Sequence, residues 1–294
     1  MSELTQRWRV GEATITAVVE SQTDGIPPAF FFPTADEALV TAHRWVLPHY
    51  ADDAGRLSMR VQAFVVEVAD RLVVVDPCIG NHKRRSQPFW DDQEWPFMER
   101  FRAAGFDPEA VDTVVHTHLH VDHVGWDTHL DDGRWVPTFT RARHLYVDTE
   151  LDWSATNTES DAPQIREDSI VPVLEAGLAD VAEADADLGD GLRLAPTQGH
   201  TPGHASLWIS SAGRLGLVTG DAIHHPVQCA EPDVSFVSDD DPERARASRR
   251  SLLGQAADAE ALVLGTHFAT EPAGRVAVAG ETWRFRPEPG AVAG

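Results

Sequence analysis

The stretch that decides the fold is HTHLHVDHVGW, residues 116–126. It places His118, His120, Asp122 and His123 within six residues of one another. In an extended strand, residues two apart face the same side, so His118 and His120 are aimed at one ion. A turn just after His120 brings Asp122 and His123 to a second ion nearby. Imidazole and carboxylate donors suit Zn²⁺ and similar borderline metals. A histidine-rich strand end without metal rarely gathers this many ligand types in so short a span.

Three later segments complete the donor count. TQGHTPGHASL (197–207) offers His200 between small residues, where a tight turn can aim a side chain. VTGDAIHHPVQ (218–228) offers Asp221, and LVLGTHF (262–268) offers His267. The pattern repeats: a strand, then Gly or Thr, then a ligand-type side chain. Donors at sheet edges rest on rigid supports, which a two-metal centre requires. Each segment is weak evidence alone, because a lone His after a strand is more often structural.

Upstream, VQAFVVEVADRLVVVDPCIG (61–80) reads as a hairpin turning at Ala69–Arg71 and ending at Asp76. Trp8 to Glu20 alternates like one or two strands, with Gly11 at a turn. WPFMERFRAAGF (95–106) has helical spacing: Phe97, Phe101 and Ala104 share a face and Gly105 is the stop. VDTVVHTH (111–118) is a short buried strand. GLRLAPTQ, HASLWIS, LGLVTGD and ALVLGTHF are further strands. PERARASRRSLLGQAAD (242–258) is a helix with Ala245, Leu252 and Leu253 facing inward. Strands in both halves, with helices after each group, imply an α/β architecture: two mixed sheets packed face to face with helices outside. Residues 1–294 are expected to form one domain.

Residues 26–50 mix Pro, Phe and one helix-like stretch, and are too apolar for a solvent loop. They are expected to cover a pocket, to make a homodimer contact, or to pack on their own core. The segment 151–170 reads as a loop that shapes the pocket, together with the region after His225.

The formal net charge of −23 repels phosphate backbones and argues against nucleic acid as a partner. Lys83 is the sole lysine, and its setting, NHKRR, reads as a solvated charge run. Cys78 and Cys229 make no disulfide framework and read as reduced, buried thiols. No apolar run reaches the roughly 20 residues of a membrane span. MSELTQRWRV lacks the basic-then-apolar layout of a signal peptide, so the expected location is cytoplasmic.

The set HTHLHVDH, GHTPGH, TGDAIHH and GTHF resembles the metallo-β-lactamase superfamily, from the 61–80 hairpin to His267. The resemblance implies an αββα sandwich. It implies that His118, His120 and His200 hold a first metal, that Asp122, His123 and His267 hold a second, and that Asp221 bridges both. Asp76 matches the strand-end Asp that orders such a site. The full ligand set departs from the β-lactamase branches. The short, lysine-free tail departs from glyoxalase II. The charge departs from the RNA-processing members, and the intact motif from flavodiiron proteins.

What remains resembles the lactonase and methyl-parathion-hydrolase branch. Many acyl-homoserine lactonases carry a Tyr three residues past the bridging Asp; His224 stands there, as in parathion-hydrolase-like members. The resemblance implies a hydrolase of lactones or carboxylic esters with two divalent ions, Zn²⁺ first and Mn, Co or Fe as alternatives. The attacking group would be a hydroxide shared by the metals. Asp122 would pass a proton to the leaving group. His224 would bond the developing oxyanion or orient a ligand. Trp126 would line the substrate pocket or pack in the core. Phosphotriester or thioester hydrolysis, and a non-catalytic metal-bound scaffold, are the competing readings. Among the other histidines, His116 is expected to support a metal ligand or simply to pack, and His204 to bond a loop. His43, His49, His82, His129 and His144 are expected at the surface or in the core. His225 has no assigned role.

Overall fold

The structure, a computed structural model, describes residues 4–292. It contains two compact units. One runs through Ser21 and takes in Val61–Ala184 and the chain from Val292; the other comprises Gln22–Arg60 and Asp185–Ala291.

The first unit is built on a mixed eight-stranded sheet. Its strands run in the order Ala291–Val292, Thr5–Val10, Ala13–Ile26, Leu57–Val68, Arg71–Val75, Thr113–Val115, Arg143–Val147 and Ala179–Ala182. The first two long strands form the expected antiparallel pair, with Val10 opposite Ala13 across the Gly11 turn. The 61–80 hairpin also forms, with Phe64 opposite Val75. Beyond it the sheet turns parallel: Val75, Val115 and Leu145 stand side by side on three neighbouring strands. These strands read as near-continuous Val runs because the parallel part of the sheet is buried on both faces. Helix Phe97–Ala103 lays Phe97 and Phe101 into a core that includes Val65, Val74 and Val114, and Gly105 ends it at φ +97.

The second unit carries a seven-stranded sheet in the order Asp187–Gly189, Leu192–Pro196, Ala205–Ser211, Arg214–Val218, Leu262–Leu264, Ala273–Ala279 and Thr282–Pro287. Only the Arg214–Val218 and Leu262–Leu264 pair is parallel. Helix Pro242–Asp258 starts at Asp241, whose side chain accepts the Arg244 N–H. It buries Ala245, Leu252 and Leu253 as expected. Residues 26–50 contribute Phe32, Val40, Val46 and Tyr50 to the core of this unit, where they meet Leu253, Phe268 and Phe285.

The segment 151–170 is not a loop. It is helical over Asp148–Thr156, then continuously through Ala162–Ile165, Arg166–Ile170 and Val171–Glu175, the middle part with wide π-type turns. Ile165, Ile170 and Val173 pack with Leu119, Val124 and Tyr146, and that burial outweighs the polar local composition. Among the described residues no helix is long and apolar enough to cross a membrane.

Candidate metal centre

In the first unit the donors lie at the carboxyl ends of the parallel strands. The strand Thr113–Val115 stops before His116, so His118 and His120 lie in the irregular loop beyond it rather than on one strand face. Their convergence comes from side-chain anchoring. Asp76 follows the neighbouring strand at φ 52, a left-handed conformation that costs a non-glycine residue about 1–3 kcal/mol. Its carboxylate accepts the Thr117 N–H at 2.8 Å and the Thr117 hydroxyl at 2.7 Å. Having given its proton to Asp76, the Thr117 oxygen accepts from His118 Nδ1 at 3.1 Å. His118 Nε2 is then the unprotonated nitrogen, and it lies 3.1 Å from His120 Nδ1. Two imidazole donors about 2.0–2.1 Å from a tetrahedral Zn²⁺ stand about 3.3 Å apart, so the pair matches one edge of such a site. The same Asp76 carboxylate lies 3.1 Å from His123 Nδ1, and His123 Nε2 lies 3.5 Å from Asp122 Oδ1.

This loop is closed by Gly125. Its N–H donates to Cys78 O at 2.7 Å, and a Cβ there would meet the Ile79 oxygen at 1.7 Å, so only glycine fits. Beside it, the buried Glu20 carboxylate accepts N–H groups from Ile79 (2.9 Å), Gly80 (3.1 Å) and Trp126 Nε1 (2.6 Å). Burial pushes the Glu20 pKa up to about 7 against the pull of these donors.

In the second unit the donors come from three separate turns. Gly199, at φ +129, packs so tightly on the helix that a Cβ would lie 2.1 Å from Ala245 N; His200 follows it. His200 Nδ1 bonds Asp239 Oδ1 at 3.0 Å, and Nε2 faces Asp221 Oδ2 at 3.3 Å. His267 Nδ1 donates to the Arg60 carbonyl at 2.7 Å, and Nε2 faces Asp221 Oδ1 at 3.0 Å. The Asp221 backbone N–H donates to His204 Nε2 at 2.9 Å, and His204 Nδ1 is held by Thr197 Oγ1 at 2.8 Å. His204 therefore supports a loop, as expected. Burial alone would lower the His200 pKa, but hydrogen bonds to Asp221 and Asp239 raise it to about 9.

One arrangement recurs among the candidate histidine ligands. His118, His200 and His267 each have Nδ1 hydrogen-bonded to a protein acceptor, which leaves Nε2 for a metal, and His123 Nδ1 lies 3.1 Å from the Asp76 carboxylate. Such outer partners fix tautomer and orientation in metal sites. The donor set therefore fits divalent ions.

His224 is fully buried and stacks face to face on Phe236, with centroids 3.7 Å apart and planes 4° apart. Its Nε2 lies 3.2 Å from Asp221 Oδ2, and burial lowers its pKa to about 4. The neutral ring thus addresses a candidate ligand. Trp126 sits in the core of the first unit, stacked on Phe97 at 5.6 Å with its N–H spent on Glu20. That placement corrects the expectation of a pocket-lining indole.

The remaining histidines divide cleanly. His116 Nε2 pairs with Asp127 at 2.9 Å and its Nδ1 bonds Leu145 O; His144 and the Tyr146 hydroxyl bond the same Asp127. These groups are all buried. His225 accepts the Val227 N–H and donates to Tyr50 O at 2.8 Å, a structural role. His43 pairs with Glu231 at 2.9 Å; His82 and His129 are exposed.

Lys83 is a correction. It is buried, with Nζ 2.8 Å from Thr128 Oγ1, 3.3 Å from Asp168 Oδ1 and 4.0 Å above the Trp135 ring. Arg85 grips Asp168 with both nitrogens, at 2.6 and 3.0 Å. Residues 82 to 85 alternate out, in, out, in, a period of two that five consecutive polar residues, NHKRR, do not show in the sequence. Cys78 and Cys229 are buried free thiols, the latter pushed up to about 12 by burial. Sequence reasoning also missed Asp239, which sits in an acidic run with nothing to distinguish it from a solvated one.

Residues 59–267 match the metallo-beta-lactamase superfamily, and the chain belongs to it. Its two mixed sheets with helices are the α/β sandwich fold of that family. Within the family it is similar to the N-acyl homoserine lactonase AttM of Agrobacterium fabrum, 32% identical over 129 residues, which are 40% of this chain and 46% of AttM. The chain thus spans about half the length of that relative. It is 26% identical over 210 residues to the N-acyl homoserine lactonase AiiA of Bacillus thuringiensis subsp. kurstaki, covering 67% of this chain and 76% of AiiA. The structure superposes on AidC, a dizinc quorum-quenching lactonase solved with a product, with a TM-score of 0.80 at 21% identity over 97% of this chain and 98% of AidC. It superposes on the hydrolase AbOPH with a TM-score of 0.79 at 23% identity over 97% of each.

Proposed function

We propose that this protein is a metal-dependent hydrolase of lactones or carboxylic esters, and that the two units serve as one functional domain. In this reading His118, His120 and His200 hold one ion, Asp122, His123 and His267 hold a second, and Asp221 is shared. The carrying observation is the Nδ1 anchoring of His118, His200 and His267, with His123 Nδ1 3.1 Å from Asp76, in a chain that superposes on a dizinc lactonase. Zn²⁺ suits these donors best, with Mn, Co or Fe as alternatives. The bound ions would supply a hydroxide at neutral pH and polarise the scissile carbonyl.

The chain's own residues do the rest. Asp239 holds His200 Nδ1 and Asp76 stands beside His123 Nδ1, so that each ring presents Nε2 to its ion. Asp122, the least buried of the candidate carboxylates at 8% exposure, takes the proton destined for the leaving alkoxide. His224 orients Asp221 through Nε2 rather than bonding substrate. Asp221 holds its carboxylate among three imidazoles, which localises negative charge where cations bind.

A second reading, hydrolysis of aryl phosphotriesters, draws support from His224, which stands where many lactonases resemble one another in carrying Tyr. The test is proton release at constant pH by metal-loaded protein on one panel: acyl-homoserine lactones, simple γ- and δ-lactones, linear aryl esters and an aryl phosphotriester. The proposal expects lactones to exceed linear esters. Preference for the phosphotriester favours the second reading, and no turnover on any member overturns both.

A further inference from the structure

Helix Pro242–Asp258 buries Ala245, Arg249, Leu252, Leu253 and Ala256. That spacing is the inward stripe of an amphipathic helix, and one of its members is an arginine. Arg249 is fully buried and the bulkiest side chain to be so. An inward guanidinium is expensive unless its donors find acceptors, so where they go is informative. Nε donates to Ala222 O at 2.8 Å, and Nη1 donates to Pro232 O at 2.8 Å and Val234 O at 2.9 Å. Among the described residues Nη2 makes no hydrogen bond, and its contact is the ion pair with Asp239 Oδ2 at 3.8 Å.

Every acceptor belongs to a segment that touches a candidate ligand. Ala222 is the residue after Asp221. Pro232 and Val234 set the course of the chain into Phe236, whose ring covers His224 and lies 5.8 Å from His200. Asp239 holds His200 Nδ1 with one oxygen and the Phe236 N–H, at 2.9 Å, with the other. One guanidinium therefore joins the turn of the shared carboxylate to the outer partner of a histidine ligand.

We propose that Arg249 is a positioning residue of the metal centre, fixing the backbone beside Asp221 through Ala222 and holding Asp239 as the charged partner of His200. The inference rests on the metal reading above. A carboxylate that accepts from Nδ1 raises the basicity of Nε2, and loss of such a partner weakens metal binding about 10–100-fold. Arg249 acts on that partner, not on substrate.

The test uses the full chain loaded with Co²⁺, comparing wild type with Arg249→Met, Arg249→Lys and Asp239→Asn. Cobalt affinity is measured by chelator competition, coordination by the visible absorption band, and folding by circular dichroism. Arg249→Met and Asp239→Asn are expected to weaken one cobalt equivalent about 10–100-fold and to shift its band. Arg249→Lys is expected to recover part of the affinity by restoring charge beside Asp239. A purely structural arginine would change unfolding but not the cobalt band. A folded Arg249→Met protein with wild-type affinity and band overturns the proposal. If that variant does not fold, an unchanged Asp239→Asn protein overturns it instead. A wild-type chain that binds no cobalt overturns the metal reading itself, a result distinct from wild-type binding with indifferent variants.

Discussion

Residues 116–123 crowd four candidate ligands into one loop, whereas the second unit collects His200, Asp221 and His267 from turns far apart in sequence. In the crowded loop one residue serves two positions: Asp76 anchors Thr117, and so His118, and stands 3.1 Å from His123. The dispersed donors each have a private anchor, namely Asp239 for His200, the Arg60 carbonyl for His267 and His204 for the Asp221 backbone. Contiguous ligands can share one strained, buried anchor because the chain itself keeps them together. Scattered ligands need separate anchors, and these meet at Asp221.

That contrast can be broken at its centres. Asp221→Asn removes the charge on which three imidazoles converge. It is expected to cost metal occupancy and about a thousandfold in kcat, ~4 kcal/mol of transition-state stabilisation. Metal analysis alongside turnover checks it, and near-normal occupancy would show that the dispersed donors do not converge functionally. Asp76→Ala is expected to disturb His118 and His123 together. It should also destabilise the protein by about 3–5 kcal/mol, as breaking a buried charge network does, measurable by urea unfolding. Loss confined to one histidine's metal would contradict the shared-anchor reading.

The smallest effect concerns Glu20, which braces the backbone facing Gly125. Its pKa rises from 4.5 to about 7 on folding, so the native state keeps this proton longer than the unfolded chain. The contribution is therefore fully present below about pH 4.5 and is lost as pH rises through about 7, an order of ~3 kcal/mol for so buried a group. Denaturant midpoints across pH 4.5–7.5 should fall more steeply for wild type than for Glu20→Gln. Parallel slopes would place the proton elsewhere.

The same contrast explains what was legible in the sequence. HTHLHVDH announced its chemistry because its donors are local, and the three later ligands could be added because each follows a strand and a Gly or Thr. The strands themselves were legible from β-branched runs, and helix Pro242–Asp258 from Ala245, Leu252 and Leu253. The supports were not legible. Glu20, Asp239 and Arg249 look like solvated charges until tertiary structure supplies their partners, and Lys83 lay inside a run of five polar residues. Segment 151–170 is helical for a related reason. Its helix is stabilised by Ile165, Ile170 and Val173 packing on Leu119 and Tyr146, partners remote in sequence.

The proposed hydrolase requires two divalent ions per chain. The most direct measurement is metal content per chain combined with electron paramagnetic resonance of the Mn²⁺- or Co²⁺-loaded protein. The account predicts two ions per chain whose spins are exchange-coupled, as expected for ions about 3.5–4 Å apart. A single ion per chain, or two ions with independent spectra, would contradict it.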